Sequence, residues 1–287
     1  MDGGGSKTAL LLTDEHDNEL CRVQSGPSNY LSVGPDAAKA AIAQGISQLT
    51  ERPNIVCAGF AGAGRPDAKT FYKELLHSLI PDAQVIVESD AFIALIGAIG
   101  VDPGILLIAG TGSIVIGRDK DRSIFRVGGW GPYFGDEGSG FWIGREAIRA
   151  VLRSLDLQAS GEFAQRIAVK LGLKSISDIA GAWAAGKVGV PEVAGLVPEV
   201  IAMYPTEPAR RILTEAASHL RWLVETASKR VGIDNCRKAR SGSVACHPVM
   251  KELIGLEFEE PQHSPEWGAV IWARQHYHQE PVLSRKC

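Results

Sequence analysis

Short apolar strands alternate with helices along this chain, and the alternation starts twice. In the first hundred residues the hydrophobic spacing predicts strands at 8–13, 19–24, 54–60 and 84–88, and helices at 36–49, 67–79 and 91–99. The resulting order, β-β-α-β-α-β-α, is typical of a mixed α/β layer and differs from that of a helix bundle or a β-sandwich.

A similar pattern begins after residue 102. Strands are predicted at 105–109, 113–118 and 123–127, followed by helices at 141–155, 162–171, 177–184, 192–204, 208–231 and about 268–276. We therefore expect two α/β lobes, 1–102 and 103–287, that arose by internal duplication and enclose a cleft. The last helix is a candidate to pack back on the N-terminal lobe.

The composition excludes several classes of protein. The chain has 30 Lys and Arg against 33 Asp and Glu, a net charge of −3, and 45% of its residues are hydrophobic, so disorder, collagen, a coiled coil and a basic nucleic-acid binder all fit poorly. Its five cysteines form no C-x-x-C pair, which argues against a zinc site or a disulfide framework. A turn at 102–104 interrupts the longest apolar stretch, and no signal peptide is recognisable. We expect a cytoplasmic protein with neither a membrane nor a nucleic acid as partner.

Glycine is the residue in excess, at 32 of 287 positions, or roughly 11% against a usual ~7%. Three glycines stand in Asp2-Gly-Gly-Gly-Ser-Lys-Thr8 and two in Gly110-Thr-Gly-Ser113, each at a predicted strand. Glycine turns can aim several backbone N–H groups at phosphate oxygens, and Asp2 could hold Mg²⁺ through water. A flexible N-terminal tag and an ordinary β-turn are the alternatives. The first turn is not a P-loop, because a strand follows it.

Three further segments carry candidate site residues. Asp90 lies where a predicted strand ends and a helix begins; at such a junction the residues alone favour a helix cap over a catalytic base. The stretch 127–146 combines glycines with aromatic and acidic residues, which suits the wall of a sugar site, with a structural loop as the alternative. Residues 25–30 present an amide and a phenol, although on these residues alone an ordinary loop is the favoured interpretation.

Taken together, these motifs resemble those of the N-acetylglucosamine kinases, which belong to the BadF/BadG/BcrA/BcrD-type ATPases of the actin/hexokinase/Hsp70 superfamily. The similarity covers Asp2 to about Ala273 and includes Gly-Pro-Ser-Asn, Ser-Asp-Ala and Gly-Gly-Trp-Gly-Pro-x-x-Gly-Asp-Glu-Gly-Ser-Gly. It implies two RNase H-like, actin-like ATPase lobes with an interdomain nucleotide cleft, and transfer of the γ-phosphate of Mg·ATP to a sugar 6-hydroxyl.

The resemblance also implies a role for each matching position. It gives Asp90 as general base, reversing the cap reading. Asp2 remains the magnesium candidate on its position beside the first glycine turn. The phosphate and adenosine loops hold Gly4, Ser6, Lys7, Thr111, Gly112, Gly242 and Ser243. The sugar pocket holds Asn29, Tyr30, Ser113, Gly129, Trp130 and Asp136. The implied partner is a small amino sugar, and a homodimer is left open.

The chain departs from the family pattern in two places. Only Met1 precedes Asp2, where the family has an apolar strand of about five residues, so we expect a start that is truncated or mis-assigned. The segment 235–240, Asn-Cys-Arg-Lys-Ala-Arg, is basic and polar where an apolar strand is expected, which indicates a replaced strand or a local aberration. Both departures predict weaker nucleotide affinity and lower stability.

Three alternatives to an N-acetylglucosamine kinase remain at this point. A glucosamine kinase would share every motif. An ATPase activator of a 2-hydroxyacyl-CoA dehydratase would need cysteines for an iron–sulfur cluster, and no cysteine lies in a glycine-rich loop here. A sugar or nucleotide sensor would bind its ligand without turnover.

Overall fold

The computed structural model describes residues 1–159 and 161–277, which form two compact units. Among the described residues, one unit contains 1–102 and 260–277, and the other contains Pro103–Glu259. The last helix, which the sequence made a candidate to pack on the N-terminal lobe, lies in the first unit. Two mixed α/β units confirm the predicted fold class.

A five-stranded sheet forms the centre of the first unit, in the order β3-β2-β1-β4-β5. β1 pairs antiparallel with β2 and parallel with β4, while β2–β3 is antiparallel and β4–β5 is parallel. The strands are β1 Asp2–Gly3, β2 Thr8–Thr13, β3 Glu19–Ser25, β4 Ile55–Phe60 and β5 Gln84–Ser89. The helices of this unit are α1 Tyr30–Val33, α2 Pro35–Ser47, α3 Pro66–Leu79, α4 Asp90–Ile99 and α12 Pro265–Tyr277.

Aromatic stacking joins this sheet to its helices. The rings of Phe60 on β4 and Tyr72 on α3 stack with centroids 3.9 Å apart, and both residues are fully buried. The Tyr72 hydroxyl donates to the carbonyl of Ser28 at 2.6 Å and accepts from the N–H of Tyr30 at 3.0 Å. A buried tyrosine hydroxyl is therefore satisfied by the loop that leads into α1.

The second unit is built on a four-stranded sheet in the order β8-β7-β6-β9. Its strands are β6 Gly104–Ala109, β7 Ser113–Arg118, β8 Ile124–Gly128 and β9 Arg237–Ser241. The helices are α5 Gly140–Asp156, α6 Glu162–Lys170, α7 Ile179–Ala184, α8 Val190–Ala194, α9 Val197–Ala202, α10 Ala209–Val231 and α11 Pro248–Ile254. The apolar face of α10 is buried in the core of this unit. Among the described helices, none has both the length and the apolar character needed to cross a membrane.

The helix predicted at 192–204 is two helices in the structure. α8 ends at Ala194 and α9 starts at Val197, immediately before Pro198. Proline lacks a backbone N–H and disfavours the α conformation at the preceding residue, so it suits the first turn of a new helix better than the interior of a long one. Both short helices pack against α5.

Most of the polar segment 235–240 lies in a regular strand, β9, which begins at Arg237; this corrects the expectation of a replaced or aberrant strand. β9 pairs in parallel with β6 at the sheet edge, and Ala239 is its one fully buried residue. Arg237 forms an ion pair with Glu259 at 2.6 Å, and the Arg240 guanidinium lies 4.9 Å from the ring of Phe258. An edge strand tolerates charged side chains because solvent and flanking residues can accommodate them.

The first strand, β1, is only two residues long, and the amino group of Met1 before it is buried. The Met1 α-amino group donates to the carbonyl of Cys57 on β4 at 2.8 Å, and burial lowers its pKa. Next to Met1, residues of β2, β4 and α12 line a cavity of about 690 Å³.

Candidate active site

The first glycine turn, between β1 and β2, is held in one conformation. The N–H of Gly4 donates to the carbonyl of Lys7 at 2.9 Å, and the carbonyl of Gly4 accepts from the N–H groups of Ser28 and Asn29 at 3.0 and 3.1 Å. A Cβ at Gly3 would lie 2.2 Å from the Phe60 ring, so a side chain is excluded there. The turn leaves Ser6 and Lys7 exposed, which suits them to contact a ligand.

Asp90 begins α4 at the carboxyl end of β5. Ser89, not Asp90, is the N-cap of this helix, because its hydroxyl accepts from the N–H of Phe92 at 3.2 Å. One Asp90 carboxylate oxygen accepts from the N–H of Ala91 at 2.8 Å. Burial raises the pKa of Asp90. The capping role therefore belongs to the neighbouring serine, and a carboxylate of raised basicity remains at the end of the strand.

Asp2 lies on β1, which β4 separates from β5, and the charge of Asp90 acts on its carboxyl group. Its pKa is raised to about 6, mainly by burial; the Met1 ammonium opposes the shift, whereas Asp90 and Glu266 add to it. Glu266 is itself buried on α12 and forms an ion pair with Arg22. A cation near Asp2 and Asp90 would relieve their mutual repulsion.

We expect Asp2→Asn to stabilise the protein at neutral pH. The folded-state pKa of Asp2 is above the usual value of 3.8, so the folded protein binds this proton more tightly than the unfolded chain does. The free energy of unfolding therefore falls as the pH rises from about 4 through 6 and the buried carboxyl loses its proton. Denaturant titrations should show a gain on the order of 1–3 kcal/mol at pH 7.5 that shrinks towards pH 4. Asp14, whose pKa is lowered by hydrogen bonds from Asn18, is the control: Asp14→Asn should give no gain. A loss of stability in Asp2→Asn at pH 7.5 would contradict this electrostatic account.

Asn29 and Tyr30 lie on the loop that Gly4 anchors. The Asn29 side-chain oxygen caps α1 by accepting from the N–H of Leu31 at 3.2 Å. The Tyr30 ring packs against Phe71 with centroids 5.0 Å apart, and its hydroxyl lies 3.4 Å from Asp67. The structure thus brings both predicted sugar residues next to the first glycine turn.

The second glycine turn, between β6 and β7, is fixed by the start of α5. The N–H of Gly140 donates to the carbonyl of Gly110 at 2.7 Å, and that of Phe141 to the carbonyl of Thr111 at 3.1 Å. Gly242 approaches from β9 with φ +93°, and a Cβ there would lie 2.3 Å from the carbonyl oxygen of Ala109. The predicted second phosphate loop, with Thr111 and Gly112, and the predicted adenosine loop, with Gly242, therefore meet at the carboxyl end of β6.

A cavity of about 590 Å³ opens beside these two loops. Thr111 and Ser243, both predicted from sequence, line it, and His247 lies at its edge. Its remaining wall is apolar and comes from α8 and α9, including Pro191, Val197 and Ile201. Sequence analysis missed this wall and His247. The only available signal was the small and apolar character of residues 190–202, which also fits a buried helix.

Asp136 ties the glycine-rich loop 128–136 to the second turn. Its carboxylate accepts from the N–H of Gly131 at 3.2 Å, and a Cβ at Gly112 would lie 2.7 Å from it. Burial raises the pKa of Asp136, while backbone hydrogen bonds from Gly131 and Ser113 oppose the shift. Asp136 has φ +57°, a strained backbone for a non-glycine residue. The loop therefore depends on this carboxylate for its shape.

The other predicted sugar residues of this loop differ in exposure. Ser113 is buried, and its hydroxyl donates to the carbonyl of Glu137 at 2.8 Å. Gly129 has φ +68°, and its N–H donates to the carbonyl of Ser113 at 3.1 Å. Trp130 is 66% exposed. The indole is accordingly the part of this set that presents the largest free surface.

Comparison with known proteins places the chain among sugar kinases. The model of the BadF/BadG/BcrA/BcrD ATPase family matches residues 1–273. The N-acetylmuramic acid/N-acetylglucosamine kinase of Clostridium acetobutylicum is 36% identical over 245 residues, 82% of this chain and 80% of that protein. The N-acetyl-D-glucosamine kinase of Dictyostelium discoideum is 33% identical over 284 residues, 91% of this chain and 89% of that protein.

Solved structures agree with the sequence comparison. The crystal structure of a candidate N-acetylglucosamine kinase from Chromobacterium violaceum is 25% identical, with a TM-score of 0.76 over 94% of this chain and 96% of that one. The motifs, the fold and these matches lead to one assignment: the chain belongs to the BadF/BadG/BcrA/BcrD ATPase family.

Proposed function

We propose that this protein is an ATP-dependent kinase that transfers the γ-phosphate of Mg·ATP to the 6-hydroxyl of N-acetylglucosamine. The observation that carries the proposal is Asp90, a carboxylate of raised pKa at the end of β5 whose helix is capped by Ser89. The relative at 33% identity is an N-acetyl-D-glucosamine kinase, and the relative at 36% is an N-acetylmuramic acid/N-acetylglucosamine kinase; N-acetylglucosamine is the sugar common to both names, which supports its choice.

ATP is proposed to engage glycine turns of both units. In the first unit, Gly4 closes the turn through its hydrogen bond to Lys7, so that Ser6 can offer its backbone N–H and Lys7 its positive charge to phosphate oxygens. In the second, Thr111 and Gly112 take the same part, and Gly242 and Ser243 form the adenosine loop. The apolar wall of α8 and α9 suits a purine, which has two flat apolar faces.

Asp2 is proposed to hold Mg²⁺, through water. Within the residues that the structure describes, no group of three or more His, Cys, Asp or Glu could form a metal cage. Magnesium usually binds through one or two carboxylates together with substrate phosphates. The neighbouring charges of Asp2 and Asp90 fit a cation here. When bound, Mg²⁺ would neutralise charge on the phosphates.

Asp90 is proposed to act as the general base. As the sugar O6 forms its bond to the γ-phosphorus, the bond from that phosphorus to the bridging oxygen breaks, ADP leaves, and the hydroxyl proton passes to the Asp90 carboxylate. Burial brings the pKa of Asp90 closer to neutral pH, which favours proton transfer. Positioning and charge stabilisation supply most of the acceleration in phosphoryl transfer.

The sugar is proposed to contact Asn29 and Tyr30 of the first unit and residues of the second unit's loop. Trp130 offers an exposed apolar face to the ring or the acetyl methyl, and Asp136, Ser113 and Gly129 shape the loop behind it. The flat face of the indole can pack against the acetyl methyl, and the choice of N-acetylglucosamine over glucosamine rests on the two relatives.

A coupled ADP-release assay over a panel of sugars tests the proposal. We expect release with N-acetylglucosamine to exceed that with glucosamine, N-acetylmuramic acid and glucose, and a reaction without sugar to remain near background. Preference for glucosamine would establish the alternative kinase. Sugar binding by calorimetry without ADP release would indicate a sensor.

A further inference from the structure

The loop that presents Trp130 contains unusually flexible backbone. Gly128, Gly129 and Gly131 all have left-handed φ values, +74°, +68° and +89°, so three of four consecutive residues are glycines in a conformation that other residues rarely adopt. The Trp130 side chain is mostly exposed, so burial alone does not fix its orientation. Some other contact must order the indole.

Arg126 makes that contact. Its guanidinium carbon lies 3.9 Å from the centroid of the Trp130 ring, within the range of a strong cation–π contact. Its Nη1 donates to the carbonyl of Gly128 at 2.8 Å and to that of Gly129 at 2.9 Å. One planar group therefore supports the indole and binds the two peptides that precede it.

Arg126 itself is anchored to the core of the second unit. It lies on β8 opposite Ile116 of β7, and its carbonyl accepts from Nη1 of Arg230 on α10 at 3.0 Å. The Arg230 guanidinium in turn lies 4.5 Å from the Phe125 ring. The support under Trp130 thus continues into the sheet and the longest helix of the unit.

We propose that Arg126 is a positioning residue for the sugar site: it holds the Trp130 indole and the Gly128–Gly129 peptides in the conformation that receives the sugar. The proposal rests on the proposed function, because it assumes that Trp130 contacts the sugar. A preordered surface spares the sugar the cost of ordering the loop. Loss of Arg126 should therefore weaken sugar binding and leave ATP binding unchanged.

Steady-state kinetics of Arg126→Gln provide the first test. We expect KM for N-acetylglucosamine to rise about tenfold, with kcat and KM for ATP within twofold of the parent protein. Arg126→Lys should behave like Arg126→Gln, because an ammonium keeps the charge but lacks the planar fork. Arg149→Gln, an exposed arginine on α5, is the matched control and should change neither constant. An unchanged sugar KM in Arg126→Gln would overturn the proposal.

Two further measurements separate positioning from a merely structural role. In a Trp130→Ala background, Arg126→Gln should raise the sugar KM by no more than twofold, whereas full additivity would contradict the link to Trp130. Amide hydrogen exchange needs no activity: residues 128–131 should exchange faster in Arg126→Gln than in the parent or in Arg149→Gln. Unchanged exchange at residues 128–131 in Arg126→Gln would overturn the positioning role, whether or not the protein is a kinase. Faster exchange together with a parent protein that does not phosphorylate sugars would refute the proposed function and leave the role of Arg126 in ordering the loop standing.

Discussion

Asp90→Asn is expected to lower kcat by roughly 10²–10⁴-fold and to change KM for ATP and for the sugar by no more than about threefold. Asparagine keeps the size of the side chain and one oxygen that can accept from the N–H of Ala91, and Ser89 still caps α4. The variant therefore loses the proton acceptor without losing the helix. Initial-rate measurements at saturating ATP and varied sugar separate the two constants.

The pH profile adds an independent check on Asp90. A general base works in its ionised form, so kcat/KM of the parent should fall as the pH drops through the Asp90 pKa, which burial raises above its usual value. This limb should be missing from the residual activity of Asp90→Asn. Asp36→Asn, which changes an exposed aspartate in the first turn of α2, is the matched control and should retain full activity. Turnover by Asp90→Asn within threefold of the parent would show that another group is the base.

Gly268→Ala is expected to destabilise the protein strongly. A Cβ at Gly268 on α12 would lie 1.9 Å from the carbonyl oxygen of Ile93 and 2.4 Å from the nitrogen of Gly97, both on α4. These are backbone atoms, so no side-chain rotation can relieve the clash, and the two helices must separate. We expect a loss of about 2–3 kcal/mol in urea titrations and lower kcat, because α4 begins at Asp90.

Gly181→Ala is the matched control for this change. Gly181 lies within α7, and an added Cβ there would meet no atom within 4 Å. Alanine favours a helix over glycine by about 1 kcal/mol, so this substitution should stabilise the protein. Equal effects of the two substitutions on the urea midpoint would contradict the close helix contact.

Elements with a strong hydrophobic period could be predicted from sequence. β2, β7 and α10 agree with their predicted ranges to within one residue. β2 and α10 each bury one regular face, and β7 is a short, mostly buried strand. The junction of strand and helix at Asp90 was also evident. Sequence could not decide which residue caps the helix, since serine and aspartate are both strong N-caps and stand side by side.

Features that depend on distant contacts could not be predicted. β9 has a polar sequence and is a strand because β6 offers an edge and Glu259 pairs with Arg237. The wall of the nucleotide cavity depends on where α8 and α9 lie over Gly140 and Gly144. Likewise, Arg126 stacks on Trp130 because of the path of the glycine loop between them. The sequence of this loop has no hydrophobic periodicity from which its path could be predicted.

The most direct test of the proposed reaction is the position of the phosphate on the product. Proton–phosphorus correlation spectroscopy of a reaction with ATP and N-acetylglucosamine should show the new phosphorus coupled to the two H6 protons, in an amount equal to the ADP formed. The 6-deoxy analogue should give neither product nor ADP. A phosphorus coupled to the anomeric proton, or ADP formed equally with the 6-deoxy sugar, would contradict the account.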